Sequence, residues 1–238
     1  VQAVGAPEAA GTASFDDVWV IIPVFNESKV IAEVVNGLLP TFPHVVCIDD
    51  GSRDSSAEEI FHTRAHLVTH HVNLGQGAAL QTGLDYALLQ PGAEYFVTFD
   101  ADGQHRVSDA AELVRAVREG DADVALGSRF LAEPDQVPMI KQFLLKTVAT
   151  LSPAARHLKL TDAHNGLRVL NRAAAASLKI TMNGMAHASE IVAYLSRSKL
   201  SVTEVPVTVL YTDYSRAKGQ SLINGVNILF DLSLRSRR

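Results

Sequence analysis

Short apolar runs alternate along this chain with longer stretches in which apolar positions recur three and four residues apart. The runs Val18–Val24, His44–Ile48, Ala65–Thr69, Tyr95–Phe99 and Asp123–Leu126 predict strands. Ser28–Leu39 sets Val30, Ile31, Val34, Val35 and Leu38 on one stripe and predicts a helix. Helices are also predicted at Ser55–Arg64, Gly77–Leu89 and Ser108–Glu119, the last with Ser108 as its N-cap. Continuous apolar strands alternating with helices predict an α/β fold, with a mainly parallel sheet covered on both faces. Ligands of such sheets sit beyond the carboxyl ends of the strands. Those ends read Pro23-Val-Phe-Asn-Glu27, Asp49-Asp-Gly-Ser52, Asp100-Ala-Asp102 and Gly127-Ser-Arg129, so polar groups from four strands are expected along one edge.

Composition narrows the class. With 238 residues, 47% hydrophobic and 20% charged, the chain suits one globular core. A net charge of −5 argues against a nucleic-acid partner met through bulk positive charge. The single cysteine, Cys47, lies in an apolar run, which excludes an internal disulfide and reads as a buried structural thiol in a reducing compartment. No apolar stretch approaches the roughly 18 residues that span a bilayer. Residues 1–16, small and rich in Ala and Gly, are expected to form a flexible tail.

Each polar segment taken alone has a plain alternative. Asp49-Asp-Gly-Ser52 reads equally as a turn with a helix cap, and Asn73-Leu-Gly-Gln-Gly77 as a loop before a helix. Two carboxylates one residue apart at a strand end are costly unless a cation joins them, and hard oxygen ligands favour Mg²⁺ or Mn²⁺. Asp102 is the expected direct ligand, Asp100 lies behind it or towards a ribose, and Gln104 adds an oxygen. His105 either touches a ligand or steadies the turn.

In this order the segments resemble the successive signatures of glycosyltransferase family 2, with its GT-A fold: a Rossmann-like, mixed, mainly parallel sheet flanked by helices. The likeness runs from Val18 to the C-terminus. Asp162-Ala-His-Asn-Gly-Leu-Arg168 and Tyr211-Thr-Asp-Tyr-Ser-Arg-Ala-Lys-Gly-Gln-Ser221 narrow it to polyprenyl-phosphate sugar synthases of the dolichol-phosphate mannose synthase type, polyprenyl-phospho-N-acetylgalactosaminyl synthases included. The resemblance implies a glycosyltransferase domain over residues 17–220 and inverting, metal-dependent transfer from a nucleotide-diphosphate sugar, a UDP-sugar favoured. It gives Pro23, Phe25, Asn26, Glu27, Asp49, Asp50, Ser52 and Asp100 to the nucleotide, lets the diphosphate approach the backbone at Gly75 and Gly77, and gives the metal to Asp100, Asp102 and Gln104.

The acceptor it implies is a polyprenyl phosphate, which needs positioning more than deprotonation because its second pKa is about 6. Arg129, Arg216 and Lys218 are the residues expected to hold that phosphate. A sugar-hydroxyl acceptor would instead need a general base, for which Glu190 is the candidate, with a purely structural role as its alternative. A non-catalytic nucleotide-sugar-binding protein is the other reading. Residues 221–238 place Leu222, Ile223, Val226, Leu229 and Phe230 on one face and end in Arg235, Arg237 and Arg238. They predict an amphipathic basic helix for an anionic membrane surface, for a small membrane protein subunit or for the domain itself. The expected location is cytoplasmic, peripheral at the cytoplasmic face of the membrane. Gln76 departs from the lysine of many relatives, and the Gln-x-x-Arg-Trp motif of processive synthases is missing, since Trp19 is the only tryptophan.

Overall fold

The computed structural model describes residues 14–120, 122–131 and 153–210. Arg216, Lys218, the Tyr211–Ser221 motif, the helix expected over 221–238 and residues 1–13 of the tail lie outside the described residues. Seven strands form one sheet in the order β3-β2-β1-β4-β6-β5-β7: β1 Val18–Val24, β2 His44–Asp49, β3 His66–Thr69, β4 Tyr95–Thr98, β5 Val124–Ser128, β6 Arg168–Asn171 and β7 Val202–Pro206. All neighbours pair in parallel except β6, which runs antiparallel to both β4 and β5. The helices are α1 Ile31–Leu38, α2 Ser56–Phe61, α3 Gln76–Leu88, α4 Val107–Arg118, α5 Pro153–His157, α6 Arg172–Ser177 and α7 His187–Arg197. This is the mixed, mostly parallel architecture of the GT-A fold.

The two-residue period of β1 builds both halves of the core. Val18, Val20, Ile22 and Val24 pack with Ile31, Val35 and Leu38 of α1 and Leu113 and Val114 of α4. Trp19 and Ile21 face the other way, against Leu80 and Leu84 of α3 and Ile191 and Leu195 of α7. Burying each such aliphatic side chain contributes about 1.5–3 kcal/mol. With both faces covered, only the strand ends remain open for chemistry.

Some boundaries differ from the sequence expectation. Residue Phe15, expected in the tail, is buried against Phe42, with ring centroids 5.0 Å apart and the Arg118 guanidinium over its ring at 5.3 Å. Helix α1 starts at Ile31 rather than Ser28, because Asn26 adopts φ 56° and the Ser28 N–H donates to Asp54 Oδ2 at 3.2 Å, which turns the chain first. Ser108 is not the N-cap of α4: that position belongs to Arg106, and the Ser108 hydroxyl donates to Asp109 Oδ1 instead. Strand β6 was not expected at all.

Candidate functional site

The first two loops at the carboxyl edge are fastened to each other. The Asn26 N–H donates to Ser52 Oγ at 2.9 Å, Arg53 N–H to Asn26 Oδ1 at 2.8 Å, and Glu27 N–H to Ser56 Oγ at 2.8 Å. Asn26 and Ser52 therefore act as stitches between loops, and neither lines the cleft that opens beside them. That cleft has a volume of about 480 Å³ and brings together Pro23, Phe25, Glu27, Asp50, Gly75, Asp100 and Asp102 with Asn73, Gln76, Gly184 and Met185. Asp49 is buried at the end of β2 and, among the described residues, its Oδ1 has no hydrogen-bond partner.

Asp50 shapes the next wall. Its carboxylate accepts from Leu74 N–H at 2.9 Å, Gly75 N–H at 2.7 Å and His70 Nδ1 at 2.7 Å, and so holds the loop that leads into α3. What approaches the two glycines there is protein backbone. The Gly77 N–H donates to the Asn183 carbonyl at 2.7 Å. A Cβ on Gly75, whose φ is +100°, would lie 2.8 Å from the Asn183 carbonyl carbon, and one on Gly77 would meet Met182 O and lie 2.9 Å from His187 Cβ. Close approach is needed as expected, but in this structure the 182–184 segment makes it.

The floor of the cleft is the aspartate pair. Asp100 Oδ1 accepts from Gln76 Nε2 at 3.3 Å and Oδ2 from His105 Nε2 at 2.9 Å. Burial alone would push the Asp100 carboxyl up, but the His105 hydrogen bond and the charges of His105, Arg168 and His187 outweigh it and hold it below the usual range. For Asp102 the balance is opposite. Burial and then the neighbouring Asp100 charge push it up to about 6, against the lowering effect of the Gln104 N–H, which donates to its Oδ1 at 3.0 Å. His105 has only 5% of its side chain exposed, packs edge-on to Phe99, and leaves Nδ1 without a partner among the described residues. It steadies the turn through Asp100. Gln104 is buried, accepts the Leu210 N–H with its main-chain carbonyl, and is not among the residues lining the cleft.

Of the residues expected at the acceptor, Arg129 and Glu190 lie among the described residues. Arg129 stands at the end of β5 with its Nε donating to the buried Asp162 at 2.6 Å, outside the cleft lining. Glu190 does not offer a vacant carboxylate: it accepts from the Thr181 N–H and hydroxyl and, at 2.9 Å, from the Met182 N–H. Its place is the structural one, as the clasp of the 181–184 wall. Four residues at the site escaped the sequence reading. Arg168, 3% exposed, has its pKa lowered by burial, a cost that the charges of Asp100 and Asp162 offset in part. His187 donates through Nδ1 to the Gly184 carbonyl at 2.9 Å, and burial, followed by the Arg168 charge, holds its pKa down. Gly184 and Met185 themselves carry no readable chemistry; only packing brings them to the cleft.

The donor set fits a small hard cation. Among the described residues no three His, Cys, Asp or Glu side chains form a cage by themselves. Two adjacent carboxylates on a cleft floor, one pushed up by burial and by the other's charge, are what Mg²⁺ or Mn²⁺ binds when waters and substrate phosphates complete its shell. No helix among the described residues is long and apolar enough to cross a membrane.

Comparison with known proteins gives consistent results. Residues 19–178 match the family described as glycosyl transferase family 2. The UDP-N-acetylglucosamine–dolichyl-phosphate N-acetylglucosaminyltransferase of Methanococcus voltae is 28% identical, over 90% of this chain and 94% of that protein. The polyprenol monophosphomannose synthase of Mycolicibacterium smegmatis is 30% identical, over 88% of this chain and 82% of that protein. The crystal structure of glucosyl-3-phosphoglycerate synthase from Mycobacterium tuberculosis in complex with Mn²⁺ and UDP-glucose superposes with a TM-score of 0.65 at 15% identity, covering 90% of this chain and 80% of that one.

Proposed function

The chain belongs to glycosyl transferase family 2, and from that premise we propose that it transfers one sugar, with inversion, from a UDP-sugar to a polyprenyl phosphate, giving a lipid-linked donor for cell-envelope glycosylation. The observation that carries this reading is the aspartate pair on the floor of a cleft walled by the β1, β2 and α3 loops, with Asp102 raised by burial and then by its neighbour, and lining the cleft. Relatives whose names state a dolichyl- or polyprenol-phosphate acceptor match nearly the full length of the chain.

In this reading Pro23, Phe25 and Glu27 receive the nucleotide, Asp49, whose Oδ1 has no partner among the described residues, accepts from the base, and Asp50 keeps the α3 loop in place for the diphosphate. Asp102 and Asp100 hold Mg²⁺ or Mn²⁺, which when bound acts as a Lewis acid for the departing diphosphate. Arg129, its guanidinium oriented by Asp162, works with Arg216 and Lys218 on the acceptor phosphate. That phosphate is already ionised near neutral pH and attacks without a protein base. Residues 221–238 rest on the anionic cytoplasmic face of the membrane or on a small membrane protein there.

The test is incubation with Mn²⁺, polyprenyl phosphate in anionic vesicles and a panel of UDP- and GDP-sugars, followed by mass analysis of the lipid. A lipid gaining one hexose or N-acetylhexosamine on its phosphate is expected; sugar transferred only to free saccharides would overturn the acceptor. Glu190→Gln provides a second check. Loss of a general base costs about 10²–10⁴-fold, whereas a clasp residue that keeps an acceptor oxygen is expected to leave kcat within about tenfold of wild type.

A further inference from the structure

The segment entering β6 presses on the aspartate pair from below. The Thr98 hydroxyl donates to the Gly166 carbonyl at 2.6 Å and pins that residue across the β4–β6 pair. A Cβ on Gly166 would collide with Asp100 Oδ2 and lie 2.6 Å from both Cγ and Oδ1 of the same carboxylate. No other residue is among the nearest atoms that such a Cβ would meet. The φ of Gly166 is not in the left-handed region, so its backbone does not demand glycine; the space does. The Asp100 carboxylate, which also faces the cleft, is held by Gln76 Nε2 at 3.3 Å and His105 Nε2 at 2.9 Å, so moving away from such a Cβ strains or breaks these two bonds.

We propose that Gly166 is a positioning residue of the metal site, and that its missing side chain is what lets Asp100 keep its carboxylate between Gln76 and His105, beside Asp102. The inference rests on the reading of Asp100 and Asp102 as metal-binding. Its physical content is a steric coupling between two residues 66 positions apart, which a double-mutant cycle isolates.

Four full-length proteins are compared: wild type, Gly166→Ala, Asp100→Ala and the double variant. Mn²⁺ affinity is read by electron paramagnetic resonance without nucleotide, and Tm in the presence of chelator. Displacing a ligand-orienting contact costs about 10–100-fold in metal affinity, and that loss is expected for Gly166→Ala. Its Tm is expected to fall in the wild-type background and to be restored when Asp100→Ala removes the colliding atoms. An unchanged Mn²⁺ affinity in Gly166→Ala, or an equal fall in Tm in both backgrounds, would overturn the proposal. If wild type binds no Mn²⁺ either alone or with UDP added, the metal reading fails, while the Tm cycle still decides whether Gly166 makes room for Asp100. If Gly166→Ala alone does not fold, a folded double variant supports the coupling and an unfolded one overturns it.

Discussion

Asp102→Asn is expected to reduce metal-dependent sugar transfer by about three orders of magnitude while leaving the metal-free protein at least as stable as wild type at pH 8. The first part follows from the cleft floor: Asp100 has both oxygens engaged by Gln76 and His105, whereas Asp102 accepts only the Gln104 N–H on Oδ1, so Asp102 is the less engaged of the two ligands proposed for the cation. Stabilising a departing diphosphate as a Lewis acid supplies several kcal/mol, and each 1.36 kcal/mol is a factor of ten. The second part has the opposite sign. In the folded protein Asp102 is pushed up to about 6 by burial and by Asp100, against about 3.9 in an unfolded chain. At pH 8 the charged form therefore costs the folded state about 1–3 kcal/mol, which the neutral amide avoids. Initial rates with Mn²⁺ and urea denaturation in chelator read the two effects separately. Undiminished turnover in the asparagine variant would remove Asp102 from the site.

The strand ends were legible because an apolar run that stops at a polar pair marks both the strand and its exit. Helix interiors were equally plain, since the stripe of α1 and that of α4 persist whatever their caps do. What could not be read was the target of each polar side chain. Asn26 and Ser52 have the right chemistry for a nucleotide, yet their partners are each other's loops, because an amide or hydroxyl that suits a ligand suits an unpaired N–H as well. Glu190 reads in the sequence either as a base or as a structural partner, and the choice turns on its contacts with Thr181 and Met182, nine and eight residues away, through a turn that no periodicity announces. Strand β6 was hidden for a related reason. It is four residues long and begins with Arg168, whose burial is tolerable only because Asp100 and Asp162 arrive from elsewhere in the chain. Its antiparallel insertion between β4 and β5 then delivers Gly166 to the Asp100 carboxylate, a contact set by tertiary packing alone.

Mn²⁺ added without nucleotide is expected to raise Tm above pH 7 and to lose that effect as the pH falls below about 6. Asp100 is held below the usual carboxylate range, with burial overcome by the His105 bond and the surrounding positive charge, so it stays ionised across this window. The titrating group is Asp102, raised to about 6. For an acid whose folded pKa is raised, the folded state binds more protons than the unfolded one between the two values, so the metal-free protein gains stability from this group as the pH drops from about 6 towards 4. The cation needs the deprotonated form, and below about 6 its apparent affinity falls by about tenfold per pH unit. The two trends oppose each other: lowering the pH relieves the repulsion that Mn²⁺ would otherwise relieve. Plotted against pH, the difference in Tm with and without Mn²⁺ should therefore climb through a midpoint near 6, and in Asp102→Asn it should be small and flat. A difference independent of pH in wild type would mean that the cation does not depend on Asp102.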